Sequence, residues 1–206
     1  MRILLVSPDS RVWNSRAHIH NGLGYLAGAL IAAGYQDVDI FDGAVEEETL
    51  DARLARDSFD VVGISAPTPL IYNAWQAAET ARQHGAVTIL GGPHLTLMPE
   101  ESVARPEVNF VARGEAEETI VEFVRTLEQA RAGGETGTGR ARFGGIKGLS
   151  FRDDAGQVVH NPPRPLASDL DAIPFPAYHL FKIERYTNLQ PLTDGLDRHA
   201  RSYTIV

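Results

Sequence analysis

No cysteine occurs anywhere in the 206 residues. That excludes disulfides and thiolate metal sites, so any iron-sulfur chemistry has to come from outside this segment. No apolar run approaches the roughly 20 residues that a membrane span requires. Basic clusters are missing too: 19 Lys and Arg stand against 27 Asp and Glu, for a formal charge of -8. A nucleic-acid surface needs a basic patch to displace counterions, and none is available. The N-terminal Met1-Arg2-Ile3-Leu4-Leu5-Val6-Ser7-Pro8 carries one positive charge and an apolar run too short for a signal peptide. It reads as the opening strand of a soluble, cytoplasmic fold. The length suits one well-cored domain of about 100 to 150 residues plus an appendage.

Short runs of Val, Ile and Leu alternate with stretches of helical period, the pattern of a parallel sheet covered on both faces. Five strands are expected, over 3–6, 38–41, 61–64, 87–90 and 109–111. The fold class is therefore α/β, a doubly wound five-stranded parallel sheet. Leu23, Leu26, Ala27 and Leu30 mark one helix face, Ile71, Ala74, Ala78 and Ala81 a second, and Ile120, Phe123, Val124 and Leu127 a third; all three stripes read as core. The expected division is a sheet domain over 1–132, a glycine-rich link over 133–145, a β-hairpin appendage over 146–161 and a Pro-rich extended connector over 162–206. The final Tyr203-Thr204-Ile205-Val206 resembles the start of a buried strand.

In an open parallel sheet ligands bind beyond the carboxyl ends of the strands, so the loops that follow them carry the functional expectations. The first, from Ser7 through Arg11, Trp13 and His18 to Asn21, is long for a β-to-α connection and is expected to cover something. The third, Ser65-Ala66-Pro67-Thr68-Pro69, offers two hydroxyls that either cap the next helix or bind a ligand, and capping is favoured on this evidence. The fourth, Gly91-Gly92-Pro93-His94, removes two adjacent Cβ atoms where backbone faces the crevice, so a flat, bulky group can lie against it. The fifth, Arg113-Gly114-Glu115-Ala116-Glu117, sets acids at a helix N-terminus, which suits its dipole.

The same sheet admits two rival readings. Gly22-Leu23-Gly24-Tyr25-Leu26-Ala27-Gly28 has a dinucleotide-like glycine pattern, with Asp42 ending the second strand, but the long first loop separates those glycines from their strand. A phosphoacceptor receiver domain needs an aspartate where Ser65 stands. His18, His20 and His94 have no zinc-site spacing, and no nucleophile-base-acid arrangement can be defended. A binding site is legible without catalysts.

Several stretches together resemble the cobalamin-binding, Rossmann-like N-terminal domain of radical S-adenosylmethionine (SAM) enzymes, including anaerobic magnesium-protoporphyrin ester cyclases and cobalamin-dependent methylases. They are Gly22 to Ala27, Val62-Gly63-Ile64-Ser65, Gly91 to Glu101, Gly114-Glu115-Ala116-Glu117 and Leu170-Asp171-Ala172-Ile173-Pro174-Phe175-Pro176. The resemblance implies that Ser65, Pro67 and Thr68 line the cofactor's nucleotide tail. Gly91, Gly92 and Pro93 would face its detached dimethylbenzimidazole base, and His94, Gly114 and Glu115 would complete that pocket. Arg11 stands where cobalamin mutases carry the cobalt-ligating histidine, which implies base-off, histidine-off binding with Arg11, Trp13 or Leu23 toward the lower corrin face. It further implies a C-terminal radical SAM barrel as partner domain, holding a [4Fe-4S] cluster and S-adenosylmethionine, with methyl transfer or ring-forming chemistry there and none in this segment alone. A stand-alone cobalamin carrier or sensor, and a dinucleotide-binding domain, remain the alternatives.

Overall fold

The computed structural model describes residues 1–9, 19–133 and 140–186. In chain order the elements are β1 (Ile3–Ser7), α1 (Asn21–Ala32), β2 (Val38–Asp42), α2 (Leu50–Arg56), β3 (Val61–Ser65), α3 (Ile71–Gln83) and β4 (Val87–Gly91). They continue with α4 (Pro93–Leu97), α5 (Pro99–Val103), β5 (Phe110–Ala112), α6 (Glu117–Ala132), β6 (Leu149–Arg152) and β7 (Val158–His160). All five expected parallel strands are present. They form one sheet with the hairpin, in the order β2-β1-β3-β4-β5-β6-β7, an α/β Rossmann-like fold.

Strand alternation divides the core into two layers. Ile3 and Leu5 of β1, Val61 of β3, Ile89 of β4 and Phe110 of β5 face α1 and α6. Leu4, Val6, Val62, Ile64 and Leu90 face the α3 side. The apolar stripe of α6 is buried as its period requires, with Ile120, Phe123, Val124 and Leu127 all in the first layer.

The hairpin is not an appendage standing apart. β6 pairs antiparallel with β5, setting Phe110 opposite Phe151. Two forces draw it in. β5 would otherwise present a bare edge, and Phe110 stacks on Phe143 and Phe151 with ring centroids 4.6 and 5.8 Å apart. Phe143 belongs to a 3-10 turn over Arg140–Gly145, so the expected link contributes a core residue. Asn161, 4% exposed, fixes that turn: its Nδ2 donates to the carbonyls of Phe143 and Ile146, each at 2.7 Å.

The connector begins as expected, exposed and without regular structure, but from residue 170 it differs. Three 3-10 turns, Leu170–Ala172, Tyr178–Leu180 and Ile183–Arg185, fold it onto α1 and bury Ala177, Phe181 and Tyr186. Glycines make the approach possible. A Cβ on Gly28 would sit 2.3 Å from the Phe175 carbonyl oxygen, and one on Gly24 3.0 Å from Pro176 Cβ. The Ala177 N–H donates to the Gly24 carbonyl at 2.9 Å.

Asn161→Ala leaves two buried carbonyls without donors. It is expected to lower unfolding free energy by about 2–4 kcal/mol in urea titration; a change within experimental error would show that these bonds do not hold the 140–146 turn.

Candidate functional site

The period-two pattern leaves the α1/α6 face of the sheet nearly bare at its carboxyl edge. Following Leu5, Val61 and Ile89 along their strands, the next residues on that face are small: Gly63 and Ser65 on β3, Gly91 on β4 and Ala112 on β5. Register places Leu5 beside Gly63 and Ser65 beside Gly91. The result is a narrow apolar slot of about 50 Å³ between sheet and helices, walled also by Leu23, Leu26, Ala116 and Ile120. It opens into a cleft of about 510 Å³ lined by His20, Gly22, Ser65, Gly92, Pro93, Thr96, Leu97, Gly114, Glu115 and Glu117 among others.

The two glycines of the fourth loop have different reasons to be glycine. Gly92 has φ +103°, and a Cβ there would lie 2.9 Å from the Ala66 carbonyl and 3.0 Å from Ser65 Oγ; backbone geometry alone demands it. Gly91 is not among the positive-φ glycines, and its Cβ would meet nothing nearer than 3.6 Å. The chain's own packing does not require a glycine here. A Cβ there would only touch Ala112 at ordinary van der Waals distance, so the slot wall has room for one.

Thr96 joins the loops on either side of the cleft. Its hydroxyl donates to the Gly92 carbonyl at 3.1 Å and accepts from the Gly114 N–H at 3.0 Å. Gly114, at φ +75°, completes that turn. Among the described lining residues the cleft carries no lysine or arginine, whereas Glu115 and Glu117 are both on its wall. Burial, with the neighbouring Glu115 and Glu118, raises the Glu117 carboxyl above the ordinary carboxylate range.

Of the residues singled out by sequence, Ser65, Gly91, Gly92, Pro93, Gly114, Glu115 and Leu23 come together around slot and cleft. Pro67, Thr68 and His94 lie behind them. Neither Ser65 nor Thr68 caps α3, whose N-terminus has no side-chain cap. Thr68 Oγ1 instead meets Nδ1 of the buried His94 at 3.3 Å, tying the third loop to the fourth, while His94 Nε2 lies 3.5 Å from Glu101. Arg11, Trp13 and His18 fall outside the described residues. Sequence reasoning did not single out Thr96, weighed His20 only as a metal ligand, and assigned Leu26 and Ile120 to the core. Gly63 and Ala112 were detectable as small residues in phase with Gly91.

His20 and Asp42, at the β1 and β2 side of the cleft, are both engaged. His20 caps α1, its Nδ1 accepting from the Leu23 N–H at 3.3 Å. Burial lowers its pKa, opposed in part by the Asp42 charge. Burial raises the pKa of Asp42, offset by hydrogen bonds that include those from Tyr186 and Ala44; Tyr186 Oη donates to Asp42 Oδ2 at 2.8 Å. Burial and the Asp42 carboxylate together push the Tyr186 hydroxyl up. Asp42 thus anchors the connector. With Gly24 and Gly28 packed against the same connector and no Lys or Arg on the cleft among the described residues, the dinucleotide reading loses both its phosphate loop and its ribose acid.

Among curated proteins, the chain is 34% identical over 196 residues to a protein named uncharacterized methyltransferase PH0819 of Pyrococcus horikoshii, covering 90% of this chain and 40% of that protein. It is 29% identical over 197 residues to the anaerobic magnesium-protoporphyrin IX monomethyl ester cyclase of Rubrivivax gelatinosus, covering 90% and 34%. The chain therefore spans well under half the length of these relatives. Among solved structures, the radical S-adenosylmethionine methyltransferase TsrM from Kitasatospora setae matches with TM-score 0.61 and 21% identity over 78% of this chain and 30% of its own. The cobalamin-dependent S-adenosylmethionine radical enzyme OxsB, solved with aqua-cobalamin and S-adenosylmethionine, matches with TM-score 0.61 and 18% identity over 80% and 22%. These likenesses agree on the fold. The family model described as B12 binding domain matches residues 16–124, spanning the cleft from α1 to α6, and the chain belongs to that family.

Proposed function

We propose that this chain is the cobalamin-binding part of a larger radical SAM enzyme, with the corrin in the cleft and the detached nucleotide tail in the slot. The observation that carries the reading is Gly91: a glycine that neither its backbone nor its neighbours require, on the wall of an apolar slot. At about 50 Å³ the slot would take only the edge of a flat aromatic base, the rest of which would extend into the cleft above it. The polar groups around the mouth also fit, because a corrin bears amide arms rich in N–H donors, and Glu115 and Glu117 offer acceptors there.

When bound, the group would supply methyl-transfer chemistry at cobalt, tuned by its surroundings. Arg11 stands where a cobalt-ligating histidine would be expected, so this chain would hold the group base-off and histidine-off. His20 offers no free lone pair, since Nδ1 accepts from Leu23 N–H and the neutral ring then carries its proton on Nε2. The remaining length of the relatives would supply the SAM barrel with its iron-sulfur cluster, and with it methyl transfer or ring formation; this segment alone would be inactive. Such chemistry suits the reducing cytoplasm.

Incubation with hydroxocobalamin followed by desalting is expected to leave a coloured protein, and a colourless one would contradict the proposal. Gly91→Val, which fills the slot wall without a backbone penalty, is expected to weaken binding at least about ten-fold, or ~1.4 kcal/mol, with little change in the urea midpoint. Undiminished binding would place the tail elsewhere.

His20 also sets a pH dependence. The folded state holds its pKa below the ordinary value while the unfolded chain does not, so the unfolded state takes up the proton first as pH falls. Stability from this group is complete above the ordinary imidazole range and is lost below it. Urea titrations at neutral and mildly acidic pH should show this loss reduced in His20→Asn, which keeps an acceptor for the α1 cap; an equal loss in both proteins would show that His20 is not its source.

A further inference from the structure

Among the described residues, the connector presents three large apolar side chains to solvent. Leu166, Leu170 and Phe175 are 79%, 73% and 91% exposed. An exposed Phe on loose chain would mean little, but the backbone at Phe175 is fixed. Its carbonyl occupies the place a Gly28 side chain would take, Pro176 fills that of Gly24, and the Ala177 N–H is bonded to the Gly24 carbonyl at 2.9 Å. The side chain is therefore projected from a fixed backbone position, with the backbone's ordering cost already met by the fold.

That position borders the cleft. Phe175, Leu170 and Ile173, with Tyr25 of α1, line a hollow of about 650 Å³ whose other wall is Glu115 and Glu117. The same two carboxylates line the 510 Å³ cleft over the slot. The two spaces thus adjoin at Glu115 and Glu117, with a connector wall that is apolar apart from Asp171 and an acceptor-rich wall on the α6 side.

We propose that the connector supplies the outer wall of the corrin site, with Phe175 and Leu170 packing on the macrocycle and Glu117 accepting from its amide arms. This rests on the cobalamin reading and adds residues outside the sheet domain to it. The occupant is a corrinoid macrocycle rather than its nucleotide tail. The tail slot lies on the far side of the cleft, against the sheet, and shares no residue with this wall.

The two parts can be tested separately with two probes, hydroxocobalamin and cobinamide, the latter a corrin without the nucleotide tail. Affinities are read by spectral titration of the full chain. Phe175→Ala is expected to weaken both probes equally, by about ten-fold, and to leave the urea midpoint unchanged because the side chain is exposed. Leu170→Ser should act in the same direction, and provides the test if Phe175→Ala proves unstable. Gly91→Val should weaken hydroxocobalamin far more than cobinamide. Unchanged cobinamide affinity in a folded Phe175→Ala or Leu170→Ser protein would overturn the outer wall while leaving the cofactor reading standing. Failure of the unaltered chain to bind either probe would remove the cofactor reading, and this wall with it.

Discussion

Side chains on a strand alternate between the two faces of the sheet, and here that constraint determines where a ligand can enter. On the α3 face, Val62, Ile64 and Leu90 pack the sheet's edge to the end of the strands. On the α1/α6 face the same strands end in Gly63, Ser65, Gly91 and Ala112, so helices and sheet close over large side chains lower down and part above them. The slot follows from withheld side chains rather than from a special loop. Loops matter only at its mouth, where the Thr96 hydroxyl holds the Gly92 and Gly114 turns together.

The second determining contact is the connector's seat on α1. Gly24 and Gly28 let the backbone at 175–177 lie against the helix. Beyond it Lys182 pairs with Glu46, and Tyr186 reaches the buried Asp42. Taking Asp42 out of water is unfavourable for its charge, and the Tyr186 and Ala44 donors offset part of that cost. A segment that composition presents as surface chain therefore becomes part of the first core layer, and its position beside the cleft is settled by packing.

Much of this was legible in the sequence. Doubly covered parallel strands are continuous apolar runs, so all five could be read directly, and adjacent glycines after the fourth strand marked the cleft. What escaped reading depended on pairing. The hairpin's place in the sheet requires knowing that β5 lacks a neighbour and that Phe110, Phe143 and Phe151 meet. The pattern from Gly22 to Gly28 looked like a phosphate loop because helix-connector packing and phosphate approach both call for glycine. Gly92 and Gly91 were read as one feature, although the first answers to its own backbone and the second leaves space. The hydroxyl of Thr68 looked like a helix cap, and only the third dimension brings His94 to it.

The central claim is that the slot takes a detached base and that no histidine replaces it on cobalt. Electron paramagnetic resonance of cob(II)alamin bound to the chain tests both at once. The expected spectrum has no nitrogen hyperfine splitting, since the benzimidazole would be detached toward the slot and His20 is held as a helix cap. Clear three-line splitting in the bound cofactor would contradict it.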